Sequence, residues 1–262
     1  MATFKSSIVR IWGKADSIVG AGFLVDERHI VTCSHVVERA LTLGDPGEAG
    51  TQANTVSIDF PFLTGASPRV PAHVEDIGRS NVKHWDIGGL VLSGEAPRGA
   101  SPVRLVTAES MWGHRFRAFG FPPGRDYGEW AVGKIMDAVE GDWLQIDPVD
   151  FRGARVREGY SGTPVWDESL EGTAGMVVAA DKGDQDRIAY ILPASILVEA
   201  WSLVLKANSI SPCPYRGLSA FTECESQSFF GREAFLATLL EVVKRPTSTI
   251  LIAPSGSGRP RS

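Results

Sequence analysis

The sequence predicts an all-β fold, a sandwich or a barrel, for most of the chain. Of its 262 residues, 28 are glycine and 16 are proline, which favours many turns and short strands over long helices. Short apolar or alternating runs recur between these turns, and few segments have a helical period. The composition, 43% hydrophobic and 22% charged, is that of an ordinary soluble globular protein with enough apolar residues for a core.

The predicted strands are short. Thr55–Phe60 alternates between polar and apolar residues, as in a strand with one buried face, whereas Ile87–Leu92 is continuously apolar. The turn Asp26–Arg28 separates Gly20–Val25 from His29–Thr32, a pattern typical of a hairpin. The other predicted strands are Ser7–Trp12, Val70–Ile77, Arg115–Gly120, Glu129–Met136, Trp143–Ile146, Gly162–Trp166, Ala174–Ala180 and Ile188–Leu192.

The pattern changes towards the end of this β-rich part. Ala194–Ala207 has apolar residues three and four apart, which predicts an amphipathic helix. Pro212 and Pro214 then interrupt the chain and indicate a domain edge. We therefore predict a β-domain with a C-terminal helix over 1–207, followed by a linker and a short α/β fragment over 208–262.

Charge and hydropathy exclude several classes of protein. The net charge of −5 argues against a nucleic-acid-binding module, which usually carries a basic face. No stretch approaches about 18 apolar residues, so we expect no membrane span. The first ten residues, Met1–Arg10, lack the apolar segment of a signal peptide, so we expect a cytoplasmic protein that starts near Met1.

The three cysteines, Cys33, Cys213 and Cys224, have no zinc-binding spacing. In a cytoplasmic chain we expect three free thiols. We expect no metal and no cofactor.

Three segments carry the residue types of nucleophilic catalysis. His35 follows an apolar run, Asp86 opens the apolar strand Ile87–Leu92, and Ser161 lies in Gly159–Gly162. A serine hydroxyl is a weak nucleophile at neutral pH and needs an adjacent base. We predict that His35 is this base and the later acid, and that Asp86 orients it.

These segments resemble the catalytic segments of trypsin-like serine proteases, especially bacterial and HtrA-type members. In that family an apolar strand ends in T-x-x-H-V, as in Thr32–Val36, an Asp opens a D-I-A-x-L-x-L strand, and the nucleophile lies in G-x-S-G-x-P. The order His, Asp, Ser is that of the chymotrypsin arrangement. The resemblance covers about 7–205 and implies two six-stranded antiparallel β-barrels and a serine endopeptidase that acts on protein or peptide substrates.

The same resemblance implies roles for neighbouring residues. The backbone N–H groups of Gly159 and Ser161 would form the oxyanion hole. The substrate pocket would be lined by Arg155, Val178, Ala179 and Ala180. Because Arg155 is not acidic, we expect a preference for acidic or small side chains rather than for Lys or Arg.

Tyr160 departs from the pattern of family members that mature by cleavage. Those members have an Asp immediately before the nucleophile, which pairs with a new N-terminus. Tyr160 cannot make that ion pair, so we expect that no activating cleavage is needed. A second hypothesis stays open, in which the protease fold is catalytically silent and serves as a binding or adaptor module.

Other residues offer rival assignments. Asp76 is a rival acid, but it lacks the following D-I-x-x-L-x-L strand. Cys33 is a conceivable nucleophile beside His35, although a buried structural cysteine is commoner. The remaining histidines lack the T-x-x-H-V context and are expected to be structural or at the surface: His29, His73, His84 and His114.

The C-terminal fragment resembles the opening of STAND-type signalling NTPases. Cys213–Phe221 and Phe229–Glu233 match the P-Y-x-G-L-x-x-F and F-F-G-R-E motifs that precede the first nucleotide-binding strand in that family. Here Ser248–Ile252 would be that strand. A P-loop needs G-x-x-x-x-G-K-[ST]. We expect no nucleotide binding, because the motif is altered at Ala253, Arg259 and Pro260.

The second resemblance implies a larger architecture. The chain is expected to contain only the start of the STAND region. The full-length protein would join a protease effector to a sensor that oligomerises through that region. Bacterial defence or programmed-death signalling would suit such an arrangement.

Overall fold

The computed structural model describes residues 2–13, 16–42, 54–63, 68–75, 85–139, 142–148, 155–180, 188–201, 209–210, 238, 241 and 244. The chain divides into two compact units, Met1–Pro212 and Cys213–Ser262. Several predictions lie outside the described residues: those on Asp76, His84, Cys213, Cys224 and the STAND-like motifs. The boundary predicted after residue 207 also lies there and stays a prediction.

The first barrel is built by six antiparallel strands. They are β1 (Ile8–Trp12), β2 (Ile18–Leu24), β3 (His29–Thr32), β4 (Thr55–Asp59), β5 (Val70–Glu75) and β6 (Gly88–Leu92). These strands close in the order β1-β2-β3-β6-β5-β4. The apolar run of β6 is buried apart from Val91, which is half-buried, because this strand faces both the barrel interior and the packing outside it.

The second barrel follows a two-residue strand, β7 (Leu105–Val106). Its strands are β8 (Arg115–Gly120), β9 (Glu129–Ala138), β10 (Leu144–Pro148), β11 (Pro164–Asp167), β12 (Gly172–Ala180) and β13 (Ala189–Pro193). They run in the order β11-β8-β9-β10-β13-β12, and pairing of β11 with β12 closes the barrel. The prediction of two six-stranded antiparallel barrels is therefore confirmed. Two short strands not predicted, β7 and β14 (Ser209–Ile210), extend the sheet beside β12 in parallel.

Helices also accompany the barrels in the described ranges: α1 (Ala2–Ser7), α2 (Ser34–Thr42) and α3 (Ala194–Ala200). The α3 helix begins where the sequence predicts, and the predicted helix beyond Trp201 lies outside the described residues. Neither α1 nor α2 was predicted. The six residues of α1 are too few for a helical period to appear, and Phe4 anchors the helix in the core with an exposure of 2%.

The core continues from one barrel into the other. A large apolar cluster joins Phe23 and Leu90 of the first barrel to Phe119 and Met176 of the second. A smaller cluster fills the second barrel around Ile135. The segments that carry the predicted catalytic residues are therefore fixed to one continuous apolar body. Among the described residues, no helix is both long and apolar enough to cross a membrane.

Candidate active site

His35 and Asp86 meet at one end of the first barrel. Antiparallel pairing of Thr32 with Gly88 places the ends of β3 and β6 side by side, so the residues just beyond them are neighbours. The Nδ1 atom of His35 lies 2.5 Å from Oδ2 of Asp86. Because a carboxylate only accepts, Nδ1 carries the proton in this contact, and Nε2 is left to accept another.

The Asp86 carboxylate is held from both sides. Its Oδ1 accepts hydrogen bonds from the Ser34 hydroxyl (2.5 Å) and from the His35 backbone N–H (3.0 Å). Burial raises the pKa of Asp86, but the hydrogen bonds from His35 and Ser34 outweigh burial and leave this pKa below its ordinary value. Asp86 is therefore ionised and fixed in orientation at neutral pH.

Ser161 lies in the turn before β11, across Gly20 from the His35 segment. A Cβ atom on Gly20 would be 2.7 Å from the methyl groups of Val36 and 3.2 Å from the Ser161 carbonyl oxygen. The N–H of Ala21 donates to that same oxygen at 3.0 Å. Gly20 thus allows the segment that carries the predicted nucleophile to approach the segment that carries the predicted base.

A second set of contacts joins the same two segments. The carbonyl oxygen of Val177 accepts the Gly162 N–H at 2.9 Å and the Cys33 thiol at 3.3 Å. Within the described part of the chain, the Ser161 hydroxyl makes no hydrogen bond to the His35 ring. The structure therefore brings the two segments together without closing the hydrogen bond between serine and histidine, a bond that is often long in unliganded enzymes.

The turn formed by Arg157–Tyr160, here called the oxyanion turn, precedes Ser161. The Tyr160 N–H donates to the Arg157 carbonyl oxygen at 3.1 Å, and Gly159 has a φ of +95°, as in a type II turn. A Cβ on Gly159 would be 2.4 Å from the Phe121 carbonyl oxygen, so no other residue fits there. Among the described residues, neither the Gly159 N–H nor the Ser161 N–H has an acceptor. Within that part of the chain, the residues on either side of Tyr160 therefore each carry an unpaired backbone donor.

Tyr160 is fully buried. Its hydroxyl donates to the Glu129 carbonyl oxygen at 3.0 Å, and burial raises its pKa above the ordinary value for tyrosine. The side chain before the predicted nucleophile is thus a neutral part of the core.

Cys33, His35 and Asp86 each offer a ligand atom, and these atoms lie within 4.8 Å of one another. Metal ligation by cysteine requires the thiolate. Burial raises the pKa of Cys33 well above the ordinary value, and its thiol donates to a carbonyl. The set therefore suits a hydrogen-bonded His–Asp pair better than a metal, and it also disfavours Cys33 as a nucleophile.

The predicted substrate pocket is described only in part. Arg155 is half-buried just before the oxyanion turn, and Val178 is buried on β12. Ala179 and Ala180 also lie on β12, but their side chains are outside the described set. Ala180 pairs with Ala189 of β13. The pocket assignment stays a prediction.

The other described histidines have structural partners. His29 Nδ1 lies 2.6 Å from Asp26 Oδ2, and His73 contacts the hydroxyls of Thr55 and Ser93 at 3.1 and 3.0 Å. His114 is buried, with Nδ1 at 2.7 Å from Asp167 Oδ2. Sequence reasoning missed the bond from Ser34 to Asp86, although the position of Ser34 directly before His35 is a signal that could have found it.

Several solved structures share this fold. The Rv3671c protease of M. tuberculosis, in its active form, is 19% identical with a TM-score of 0.55, over 78% of this chain and 82% of that chain. The MamO protease domain of Magnetospirillum magneticum is 18% identical with a TM-score of 0.53, over 75% and 96%. A serine endoprotease from Yersinia pestis is 17% identical with a TM-score of 0.54, over 78% and 64%.

Family comparison agrees with both resemblances. Residues 214–260 match the family described as Novel STAND NTPase 1. No curated protein matches the chain. Residues 20–176, more than half of the chain, match the trypsin-like peptidase domain. The chain therefore belongs to the trypsin-like peptidase domain family and carries a STAND NTPase segment after that domain.

Proposed function

We propose that the chain is a serine endopeptidase in which Ser161 is the nucleophile, His35 the general base and acid, and Asp86 the residue that orients His35. The observation that carries the proposal is the contact of 2.5 Å between His35 Nδ1 and Asp86 Oδ2. This contact leaves Nε2 of His35 as the free proton acceptor of the ring. The unpaired N–H donors of Gly159 and Ser161 support the same proposal.

The proposed reaction has two steps, acylation of Ser161 and deacylation. In acylation, Ser161 Oγ bonds to the carbonyl carbon of the substrate and passes its proton to His35 Nε2. The carbon–nitrogen bond then breaks, and His35 gives that proton to the leaving amine. In deacylation, water attacks the ester, His35 accepts the proton of water, and Ser161 regains it as the acid product leaves.

The oxyanion turn supplies the charge stabilisation in this proposal. The carbonyl oxygen of the substrate becomes negative in each tetrahedral intermediate. The two backbone donors can bind it without rearrangement, and removal of one such donor typically costs about 10²–10³ in rate. Asp86 stabilises the imidazolium of His35 that forms at the same time.

Further parts of the proposal concern the specificity of the enzyme, its role in a larger protein and its location. Arg155 in the pocket supports a preference for acidic or small side chains over Lys or Arg. The STAND segment supports a role as the effector domain of a signalling or defence protein whose full-length form oligomerises through that region. We include a cytoplasmic location and protein or peptide substrates in this proposal, with no nucleic-acid or membrane partner.

The proposal is tested by incubating the chain and its Ser161→Ala variant with a peptide library derived from a proteome. Mass spectrometry of the new termini should show internal cleavages with the chain and none with the variant. The residues before the cleaved bonds report the pocket, and a profile dominated by Lys or Arg would reject the proposed preference. Identical peptide patterns for both proteins would instead support a silent binding or adaptor module.

A further inference from the structure

One residue of β9, Glu129, contacts both ends of the oxyanion turn. Its Oε1 accepts hydrogen bonds from Nε and Nη2 of Arg157, at 3.1 and 2.8 Å. Its backbone carbonyl oxygen accepts the hydroxyl of Tyr160 at 3.0 Å. Arg157 and Tyr160 are the first and last residues of the turn. The turn is therefore tied at both ends to a single position on a barrel strand.

The ring of Tyr160 is locked in place by packing. Tyr160 is fully buried, and Gly120 pairs with Glu129 in the β8–β9 ladder. A Cβ atom on Gly120 would lie 2.4 Å from the Tyr160 ring, so the ring occupies space that only a glycine leaves open. The buried ring fills this slot, and its hydroxyl donates to the Glu129 carbonyl oxygen there.

The conformation of the turn decides where the Gly159 N–H points. A type II turn has a positive φ at its third residue and a type I turn a negative one, and the change turns the central peptide over. The central peptide here joins Glu158 to Gly159, and the observed φ of Gly159 is +95°. The contacts of Arg157 and Tyr160 with Glu129 hold the two ends of the turn, and the positive φ of Gly159 sets the direction of the central peptide between them.

We propose that Glu129, Arg157 and Tyr160 are positioning residues that hold the oxyanion turn in the form whose Gly159 and Ser161 N–H groups are free to bind the oxyanion. This inference rests on the proposed function for its catalytic meaning. Its structural content, a turn held by Glu129, can be tested separately. The contribution of Tyr160 is larger than that of Arg157, because the ion pair is partly exposed, with Arg157 at 45% and Glu129 at 21%.

The test uses Tyr160→Phe, which keeps the ring and removes the hydroxyl, and Arg157→Gln. Two matched controls remove the same groups elsewhere. Tyr190→Phe removes a hydroxyl that makes no hydrogen bond within the described ranges. Arg98→Gln removes an exposed guanidinium that has no ion pair in that part of the chain.

Three rates are measured on each protein. A fluorophosphonate probe reports the phosphonylation of Ser161, whose product places an oxygen in the oxyanion hole. Diethyl pyrocarbonate reports the carbethoxylation of His35, which needs no oxyanion hole. Amide hydrogen exchange of peptides spanning Val156–Gly162 reports opening of the oxyanion turn.

We expect Tyr160→Phe to slow phosphonylation about tenfold, the effect of one net hydrogen bond, and Arg157→Gln about threefold. Exchange in the turn should rise in both variants, while carbethoxylation of His35 should not change. A general loosening of the fold would change both labelling rates.

The inference would be overturned if Tyr160→Phe and Arg157→Gln had the same rates of phosphonylation and of amide exchange as the two controls. If the unmodified chain itself takes up no probe at Ser161, the proposed function fails, and the exchange measurement alone then decides. Faster exchange in Tyr160→Phe would still support a turn held by Glu129, and unchanged exchange would reject it.

Discussion

The two halves of the candidate active site are built in different ways. The His35–Asp86 half is held by side chains: the Asp86 carboxylate accepts from the His35 ring, the Ser34 hydroxyl and one backbone N–H. The Ser161 half is held by backbone: Gly159 and Gly162 have φ values of +95° and +83° and lie against carbonyl oxygens of neighbouring segments. The first half should therefore fail when a functional group is removed, and the second when atoms are added.

Removing the carboxylate of Asp86 gives the largest predicted effect. In Asp86→Asn the amide can turn its NH₂ towards His35 Nδ1 and stabilise the wrong tautomer, so we expect phosphonylation of Ser161 to slow about 10⁴-fold. The control is Asp26→Asn, which alters a similar contact of 2.6 Å to His29 outside the site. A rate for Asp86→Asn within tenfold of that control would contradict the assigned role.

Adding one methyl group at Gly162 gives the next largest effect. Its Cβ would be 2.0 Å from the Ala21 carbonyl oxygen, in addition to the strain of the positive φ. We expect Gly162→Ala to lower the free energy of unfolding in urea by about 3 kcal/mol or more.

The matched control is Gly124→Ala. Gly124 has a φ of +75°, but a Cβ atom added there would have no neighbour within 4 Å. Gly124→Ala should lower the free energy of unfolding only by the strain of the backbone, about 1 kcal/mol. Equal losses at both glycines would show that Gly162 is not held against β2 as the structure describes.

The sequence revealed the two halves to different degrees. The sequence predicts His35, Asp86 and Ser161 as a triad because the chemistry requires those side chains, and the structure places the His35 and Asp86 segments side by side. Their catalytic roles stay a prediction. The contact of Tyr160 with the Glu129 carbonyl oxygen could not be predicted, because every residue has a backbone carbonyl and the residue type gives no sign of it. Side-chain chemistry was therefore easier to predict from the sequence than backbone geometry.

The same contrast holds for the fold. The strands β3 and β8 have the predicted bounds, because each is a short run of fitting period between clear turns. The α2 helix was missed since Val36, Val37 and Ala40 continue the apolar run of β3 with one residue between the two elements. Strands of two residues such as β7 are too short to show any period.

Lowering the pH should remove the contribution of Asp86 to the free energy of unfolding, and the direction of its pKa shift decides the pH range in which this happens. Because the hydrogen bonds lower the pKa of Asp86 in the folded state despite burial, the stabilisation is present above the unfolded pKa of about 4. It is lost as the pH falls through the lower, folded pKa. The stability difference between the chain and Asp86→Asn should thus be constant from pH 7 to about pH 5 and shrink below about pH 4.

Urea unfolding over this pH range measures the effect. Asp126→Asn, which removes an exposed carboxylate outside the site, serves as the control. If the difference in free energy of unfolding between the unmodified chain and Asp86→Asn grows as the pH falls, the predicted direction is wrong.

The smallest expected effect is at Cys33. Because burial raises the pKa of this thiol, iodoacetamide at about pH 8 should leave Cys33 unmodified in the folded chain and modify it after unfolding. Peptide mapping separates Cys33 from Cys213 and Cys224. Modification of Cys33 at equal rates in both states would show that the thiol is accessible beside His35.

His35, Asp86 and Ser161 are proposed to form one working site. The most direct measurement is labelling with a fluorophosphonate probe, followed by intact mass and peptide mapping, on the chain and on Ser161→Ala and His35→Ala. If they do, a single adduct should form on Ser161 and be absent from both variants. No adduct on Ser161 in the unmodified chain, or an adduct that forms equally well in His35→Ala, would contradict it.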